Sequence, residues 1–432
     1  MNRTEQKFSA LPAWAVNGIV YQVNVRQYTP EGTFRAFAAH LPRLKELGVN
    51  ILYFMPIHPI GRVRRKGTLG SYYSVQDYFS INPEFGTMED FRELVRAAHA
   101  QGMHVLIDLV ANHTAWDNPL LNEHPEWYHH DKNGKITPPL AEWSDTAELD
   151  YRQVALRQYM TEVMLYWLRE ADIDGYRCDV AEMVPYYFWR QAIRQAGRLK
   201  PMLMIAEGQN PKLHRVGFHA TYAFNMAALF NDIAAGRRSP REIDYFLELD
   251  HRLYPPSGKR LRYTCNHDLN SWLGPAVVRL GEAARVFAVL TFTLPGMPFI
   301  YNGQEIGSTR SLSFFDKDEI DWKPSGWFDF YRRLCSAYRV NAALYSGKME
   351  RLKDGNSPLV YGFARHRHND CAVILANLCD RPMHGTAEGV RLEGSYVELL
   401  TNEKTALNGR ITYALQPWEV RVYLKENVRW KK

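Results

Sequence analysis

The sequence predicts an α/β protein: a (β/α)8 barrel with a short inserted segment after its third strand, followed by a C-terminal antiparallel β-sandwich domain. Three observations predict it. Short apolar runs alternate with stretches whose apolar residues recur three or four apart, the pattern of βα repeats around a parallel sheet. The 432 residues are too many for one ordinary core and comfortable for a barrel plus a small second domain. After about residue 345 the helical periodicity stops and only strand-like runs remain.

The elements follow in order. Gly18 to Val23 reads as the first strand, and Phe34, Phe37, Ala38, Leu41, Leu44 and Leu47 mark one helix face. Asn50 to Met55 is the second strand. Thr87 is placed to cap the next helix, with Asp90 three residues on and Phe91, Leu94, Val95 and Ala98 as its buried face. Val105 to Leu109 is the third strand. From about 112 to 150 the rhythm breaks at Pro119, Pro125, Asn133-Gly134 and Pro138-Pro139. So long an interruption inside a barrel is expected to carry function, and it holds Trp116, Trp127, Tyr128 and Trp143. A helix resumes with Leu156, Tyr159, Met160, Val163, Met164 and Trp167. Strands follow at Ile173 to Cys178, Met202 to Ala206, more weakly 218–224, then Leu261 to Cys265 and Pro298 to Asn302. Helical stretches fall near 186–198, 239–250, 280–292 and 326–341. Beyond them, Leu359 to Ala364, Cys371 to Leu378, Tyr396 to Leu400, Ile411 to Ala414 and Val420 to Leu424 read as strands. The predicted domains are 1–111 with 151–344 for the barrel, 112–150 for the insert and 345–432 for the β-sandwich.

Composition narrows the function class. With 46% apolar and 23% charged residues the chain is a soluble globular protein. Its net charge of +6 is scattered; the densest cluster, Arg62, Arg64, Arg65 and Lys66, sits in a Gly-flanked stretch that reads as a solvated loop. A nucleic-acid partner would need a longer basic stripe with base-reading motifs. No run approaches the ~18 apolar residues of a membrane span, and the polar N-terminus is followed by no apolar signal core. Five cysteines lack paired spacing; Cys178 and Cys265 lie in apolar runs and Cys371 begins another, which points to reduced, buried thiols and a cytoplasmic protein.

In such a barrel the active site forms at the carboxyl ends of the strands. There this sequence places Asp108, Asn112 and His113 after strand three, Arg177 and Asp179 on strand four, Glu207 after strand five, His267 and Asp268 after strand seven, and Glu305 after strand eight. Any one of these fits an ion pair closing the rim, but five strands delivering polar groups to one face is hard to explain as packing. Glycoside hydrolysis passes through an oxocarbenium-like transition state and needs two carboxyl groups flanking the bond. Arg177, two residues before Asp179 and hence on the same strand face, would hold Asp179 ionised. Glu207 on the neighbouring strand is a candidate acid, Asp268 a third carboxylate for sugar hydroxyls, and neutral His113 and His267 are hydrogen-bond donors. The residues alone leave open which carboxylate has which role.

Taken in order, these segments resemble the α-amylase superfamily, glycoside hydrolase family 13. Asp108 to His113 is similar to its Asp-x-x-x-Asn-His motif, Gly175 to Asp179 to Gly-x-Arg-x-Asp, and Asn266-His267-Asp268 to Asn-His-Asp. Glu207 stands where the third motif has its acid, and Gly296 to Glu305 resembles the strand-eight motif. The resemblance covers essentially the whole chain. It implies Asp179 as nucleophile, Glu207 as general acid/base and Asp268 as transition-state stabiliser. Asp108, His113, Arg177 and His267 would line the sugar site, with Tyr73 stacking on the sugar and Asp77 supporting it. It implies no cofactor for the chemistry and leaves room for a structural calcium ion, for which Asn112 is the clear match and Asp145 and Asp150 are further candidates. The sequence departs from the pattern at Glu182 and Met183, where many members carry Lys-His. Ala147 to Tyr151 lacks the pattern of α-1,6 glucosidases, which favours α-1,4 bonds. The expected function is retaining hydrolysis of α-1,4-glucosidic bonds in maltooligosaccharides, with an α-glucan as partner. A transglycosylase or isomerase of the same superfamily is the alternative. A non-catalytic carbohydrate-binding or scaffold protein fits less well, since all three carboxylates are present.

Overall fold

A computed structural model describes residues 10–353 and 358–426. Eight parallel strands close into a barrel: β1 (Val20–Val23), β2 (Ile51–Phe54), β3 (His104–Leu109), β6 (Gly175–Cys178), β7 (Leu203–Ala206), β8 (Ala220–Tyr222), β9 (Lys259–Arg262) and β10 (Met297–Tyr301), with β10 pairing back onto β1. Between β3 and β6 the inserted segment contributes β4 (His113–Ala115) and β5 (Thr146–Glu148).

The period of two along each strand sorts its side chains. Val20, Ile51, Tyr53, Leu106, Leu203, Ile205, Leu261, Tyr263, Met297 and Phe299 fill the barrel interior. Their neighbours Tyr21, Leu52, Val105, Ile107, Tyr176, Met204 and Ile300 pack outward against the surrounding helices. Leu11, Trp14 and Ala15 plug the amino-end mouth. The helix Met88–Ala100 starts as expected: Thr87 and Asp90 form a reciprocal capping box, and Phe91, Leu94, Val95 and Ala98 are buried. Gly175 sits at φ 146°, and a Cβ there would meet the Leu203 carbonyl oxygen at 2.0 Å. Only glycine lets β6 lie against β7 at this point.

In the C-terminal sheet the strand Lys348–Arg351 was not expected and Met383–Glu398 was expected only at Tyr396 to Leu400; in the barrel two elements differ from expectation. The seventh strand runs over Lys259–Arg262, not 261–265. Its charged residues disguise it: Arg260 and Arg262 turn outward to Asp250, while Leu261 turns into the barrel. The helix Phe224–Ala234 was not anticipated, although Met226, Phe230 and Ile233 carry its spacing.

The insert is a long hairpin clipped at its base, where β4 pairs antiparallel with β5, His113 opposite Glu148 and Ala115 opposite Thr146. Trp127 and Tyr128 are its small core. The C-terminal strands β11 (Lys348–Arg351), β12 (Val360–Arg367), β13 (Asp370–Asn377), β14 (Met383–Glu398), β15 (Lys404–Leu415) and β16 (Val420–Lys425) form one antiparallel sheet, ordered β11-β12-β13-β16-β14-β15. The sheet folds over on itself. Lys353 bridges to Glu388, β14 shifts register between Glu388 and Glu393, and Val360, Val373 and Leu375 share a core with Ala387, Ile411 and Leu415. The sandwich is thus two halves of one sheet. Its other face, with Tyr361, Phe363, Ile374 and Val422, packs on the barrel's outer layer.

Candidate active site

The strand period that fills the barrel also delivers the site. Two residues beyond inward-facing Val20 comes Gln22; beyond Ile51, Tyr53; beyond Leu106, Asp108; beyond Ile205, Glu207; and Gly175 is followed by Arg177, then Asp179. Each column begins apolar in the barrel and ends polar at its mouth. His267 and Asp268 arrive on the loop after β9, where Asp268 opens a single π-helical turn, Leu269–Leu273.

Arg177 is the hub, with its side chain wholly buried. Its Nη1 donates to both carboxylate oxygens of Asp108 at 2.8 Å and to Asp179 Oδ1 at 2.9 Å. Its Nη2 lies 2.6 Å from Glu207 Oε1, an ion pair too bent to be a hydrogen bond. The rings of Tyr53, Tyr73 and Tyr222 surround the guanidinium at 5.8, 5.7 and 5.8 Å. Glu207 Oε2 accepts the Val180 N–H at 2.9 Å. To present that N–H, Val180 adopts φ 35°, a strained conformation for a β-branched residue. Glu182 accepts the N–H groups of Gln209 and Asn210, so it holds the loop that follows Glu207. Gly208, at φ 156°, makes this approach feasible: a Cβ there would lie 2.6 Å from the Glu182 carboxylate.

His267 is held on both sides. The Gln22 side chain accepts the His267 backbone N–H at 3.2 Å and places its amide nitrogen 2.9 Å from Nδ1. Nδ1 is therefore the acceptor and the ring proton is assigned to Nε2, 2.7 Å from the Tyr73 hydroxyl. Tyr73 in turn donates to Asp108 Oδ2 at 3.1 Å, as Tyr53 does at 2.6 Å. The Tyr73 ring stacks on His267 and Phe314. Burial pushes His267 down to about 3 and His113 down to about 4, so both rings are neutral near pH 7. Burial also lifts Asp108 to about 6, against the pull of Arg177. Asp179 is raised by burial and then by the charge of Glu207. Both shifts reflect carboxylates crowded together in a buried site around one guanidinium.

Asp179, Glu207, His113, His267, Tyr73 and Asp268 line one cleft of about 430 Å³; the Asp268 side chain is 42% exposed to it. Asp108 and Arg177 form its buried floor. Of the insert's aromatic residues, Trp143 reaches the cleft beside His113, whereas Trp116 lies under Arg64. Sequence reasoning missed Trp272, Phe314 and Phe315, which form an aromatic wall on which Trp272 stacks against Phe314 at 5.3 Å. Trp272 comes from the short π-helical turn after β9 and the two phenylalanines from irregular chain after β10, where no periodicity flags a residue. Tyr53 and Gln22 were also missed, although each continues an inward column.

The catalytic-domain model of the α-amylase family matches residues 13–214. The crystal structure of a maltogenic α-amylase from Thermotoga neapolitana superposes with a TM-score of 0.88 at 31% identity, over 96% of this chain and all of that one. An α-amylase from Lactobacillus plantarum does so with 0.84 at 32%, over 95% of this chain and all of that one. The chain belongs to the α-amylase family. An α-1,4-glucan:maltose-1-phosphate maltosyltransferase of Cereibacter sphaeroides is 31% identical over 87% of this chain and 67% of its own. The chain spans between about half and three quarters of the length of the first curated relatives it matches.

The structural calcium that membership of the α-amylase family suggests does not fit the residues present. Asp145 is paired with the Lys66 ammonium at 3.1 Å, and Asp150 with the Arg152 guanidinium at 2.6 Å. The Asn112 amide lies 3.4 Å from His113 Nδ1. Among the described residues no three His, Cys, Asp or Glu side chains are gathered as metal ligands. Lys66, on the loop after β2, is the cation beside Asp145.

Proposed function

We propose that this member of the α-amylase family hydrolyses α-1,4-glucosidic bonds of maltooligosaccharides and related α-glucans with retention of configuration. One observation carries the reading: a single guanidinium ties Asp179 and Glu207 together at the floor of an aromatic cleft that Asp268 also lines. Glu207 acts as the general acid and passes a proton to the glycosidic oxygen as Asp179 attacks the anomeric carbon. The bond to the leaving sugar breaks and a glycosyl–Asp179 ester forms. Glu207, now a carboxylate, takes a proton from water, and the resulting nucleophile releases the sugar and restores both groups. Arg177 offsets the charge that returns to Asp179. Asp268 grips sugar hydroxyls, neutral His113 and His267 donate to them, and Tyr73 offers a ring face. The buried thiols of Cys178, Cys265, Cys335 and Cys371 support a reducing, cytoplasmic setting.

The product profile from maltoheptaose tests this, wild type beside Asp179→Asn. Shorter oligosaccharides from wild type alone, released first as α-anomers, are expected. Initial β-anomers, or a variant that keeps most of its activity, would sink the assignment. A second reading, glucanosyl transfer to a sugar acceptor, is favoured by the maltosyltransferase relative and by the aromatic wall Trp272–Phe314, which suits an acceptor ring. It would appear as products longer than the substrate.

A further inference from the structure

A second cavity, of about 750 Å³, opens on the flank of the barrel, away from the cleft just described. Its walls are the outer side of β9, the helix Glu242–Leu253 and the edge of the C-terminal sheet at β11 and β12. The strand period that sends Leu261 inward sends Arg260 and Arg262 outward, and on β12 it turns Arg365 toward the barrel. Arg260, Arg262 and Arg365 are 6%, 2% and 2% exposed, and half-buried Lys259 joins them. Asp250 serves two of the guanidinia, accepting from Arg260 Nε at 3.1 Å and Arg262 Nη2 at 2.6 Å. Arg365 has only carbonyls, those of Thr293 and Gly347. At the mouth, Asp244 is engaged by Tyr361 and Arg351, and Glu248 extends into solvent.

Two donors are left over. Arg262 Nη1 and Arg365 Nε are buried and have no acceptor among the described residues. An orphaned N–H on a buried cation is costly, and so is a cluster of buried cations with too few carboxylates. The cluster's repulsion shows at Lys259, which burial and then Arg365 and Arg367 push down to about 8.

We propose that this cavity binds a phosphate group, as inorganic phosphate or as the phosphate monoester of a sugar, on Arg262, Arg365 and Lys259. A tetrahedral dianion supplies the missing charge and presents oxygens to β9 and β12 at once, which a planar carboxylate of charge one does less well. The volume exceeds that of a free anion, and Tyr254, Pro255 and Tyr345 offer apolar walls for the remainder of an ester. Bound there, the ligand staples the barrel to the C-terminal sheet.

Calorimetric titration of the whole chain at neutral pH tests the site, with inorganic phosphate and glucose 6-phosphate as probes and with glucose and ionic-strength-matched sodium chloride as controls. One saturable site per chain is expected, with a ligand-dependent rise in Tm. Arg365→Lys, which keeps the charge and loses the fork, should weaken binding at least tenfold. Lys259→Met, on a half-buried side chain, should also weaken it and carries the test if the arginine variant folds poorly. Tighter binding of glucose 6-phosphate than of phosphate identifies an ester as the occupant; equal or weaker binding identifies the free anion. Absence of saturable binding by either probe, or affinities unchanged in both variants, overturns the proposal.

Discussion

One guanidinium serves three carboxylates at the mouth of the barrel, and its geometry decides what it can do. Arg177 reaches Asp108 and Asp179 through one nitrogen and Glu207 through another. A lysine offers a point charge on a flexible stem and cannot span all three. Arg177→Lys is therefore expected to fold, by circular dichroism, yet lose about 100-fold or more in kcat on a maltooligosaccharide, because the reacting carboxylates are misplaced by about an ångström. Near-normal kcat would mean that Arg177 is packing only. At this scale the sequence was legible wherever a residue sat in a strand motif: Asp108, Arg177, Asp179 and Glu207 lie where the two-residue period puts them. Glu182 was legible only as a departure. Its grip on the loop after Glu207 depends on a contact between residues 27 and 28 positions apart, which no local pattern encodes.

Among the elements, the insert is held to the barrel by an ion pair. Its hairpin is clipped by β4 and β5 and tied to the loop after β2 by Lys66, which meets Asp145 and the Glu142 carbonyl. A chelator should therefore leave Tm and activity unchanged. Lys66→Met should lower Tm by removing the charge from buried Asp145, a loss of roughly 1 kcal/mol or more. A large drop in Tm with EDTA would instead establish a metal site. Strands with an apolar face were readable, but β9 was displaced in the sequence reading because Lys259, Arg260 and Arg262 mask it. Asp250, on the helix Glu242–Leu253, comes to meet Arg260 and Arg262, and Lys259 donates to the Tyr345 carbonyl.

Across the whole molecule, five buried histidines withhold a proton. Burial holds His58, His113, His214 and His219 down to about 4 and His267 to about 3. In the unfolded chain each titrates near its ordinary value of about 6.5. Between pH 6.5 and 4 the unfolded chain therefore binds more protons at these sites, and stability falls as pH falls, by up to about 1.4 kcal/mol per pH unit for each histidine. Asp108, raised to about 6, acts in the opposite direction over part of that range, as do Asp179, Asp268 and Glu148, raised first by burial, and His99, raised by its hydrogen bond to Asp174. Among these only Asp108 and Asp179 are strongly shifted, and the five strongly shifted histidines outweigh them, so Tm should drop steadily between pH 6.5 and 4.5. A flat or rising Tm across that interval, measured by calorimetry at constant ionic strength, would contradict the burial assigned to these rings.

The barrel, most of its strands and helices, and the strand-borne carboxylates with their arginine are legible in the chain alone. These follow from periodicities of 2.0 and 3.6 residues, which are local properties of the chain. The aromatic wall of Trp272, Phe314 and Phe315, the pairing of Lys66 with Asp145, the folding of one sheet into both halves of the sandwich, and the arginine cavity on the barrel's flank emerge only in the folded molecule. Each of these joins residues far apart in the chain, in loops or on outward strand faces. There the choice of partner is set by how the layers pack and which charges must be neutralised once buried, and adjacency in the sequence carries no record of it.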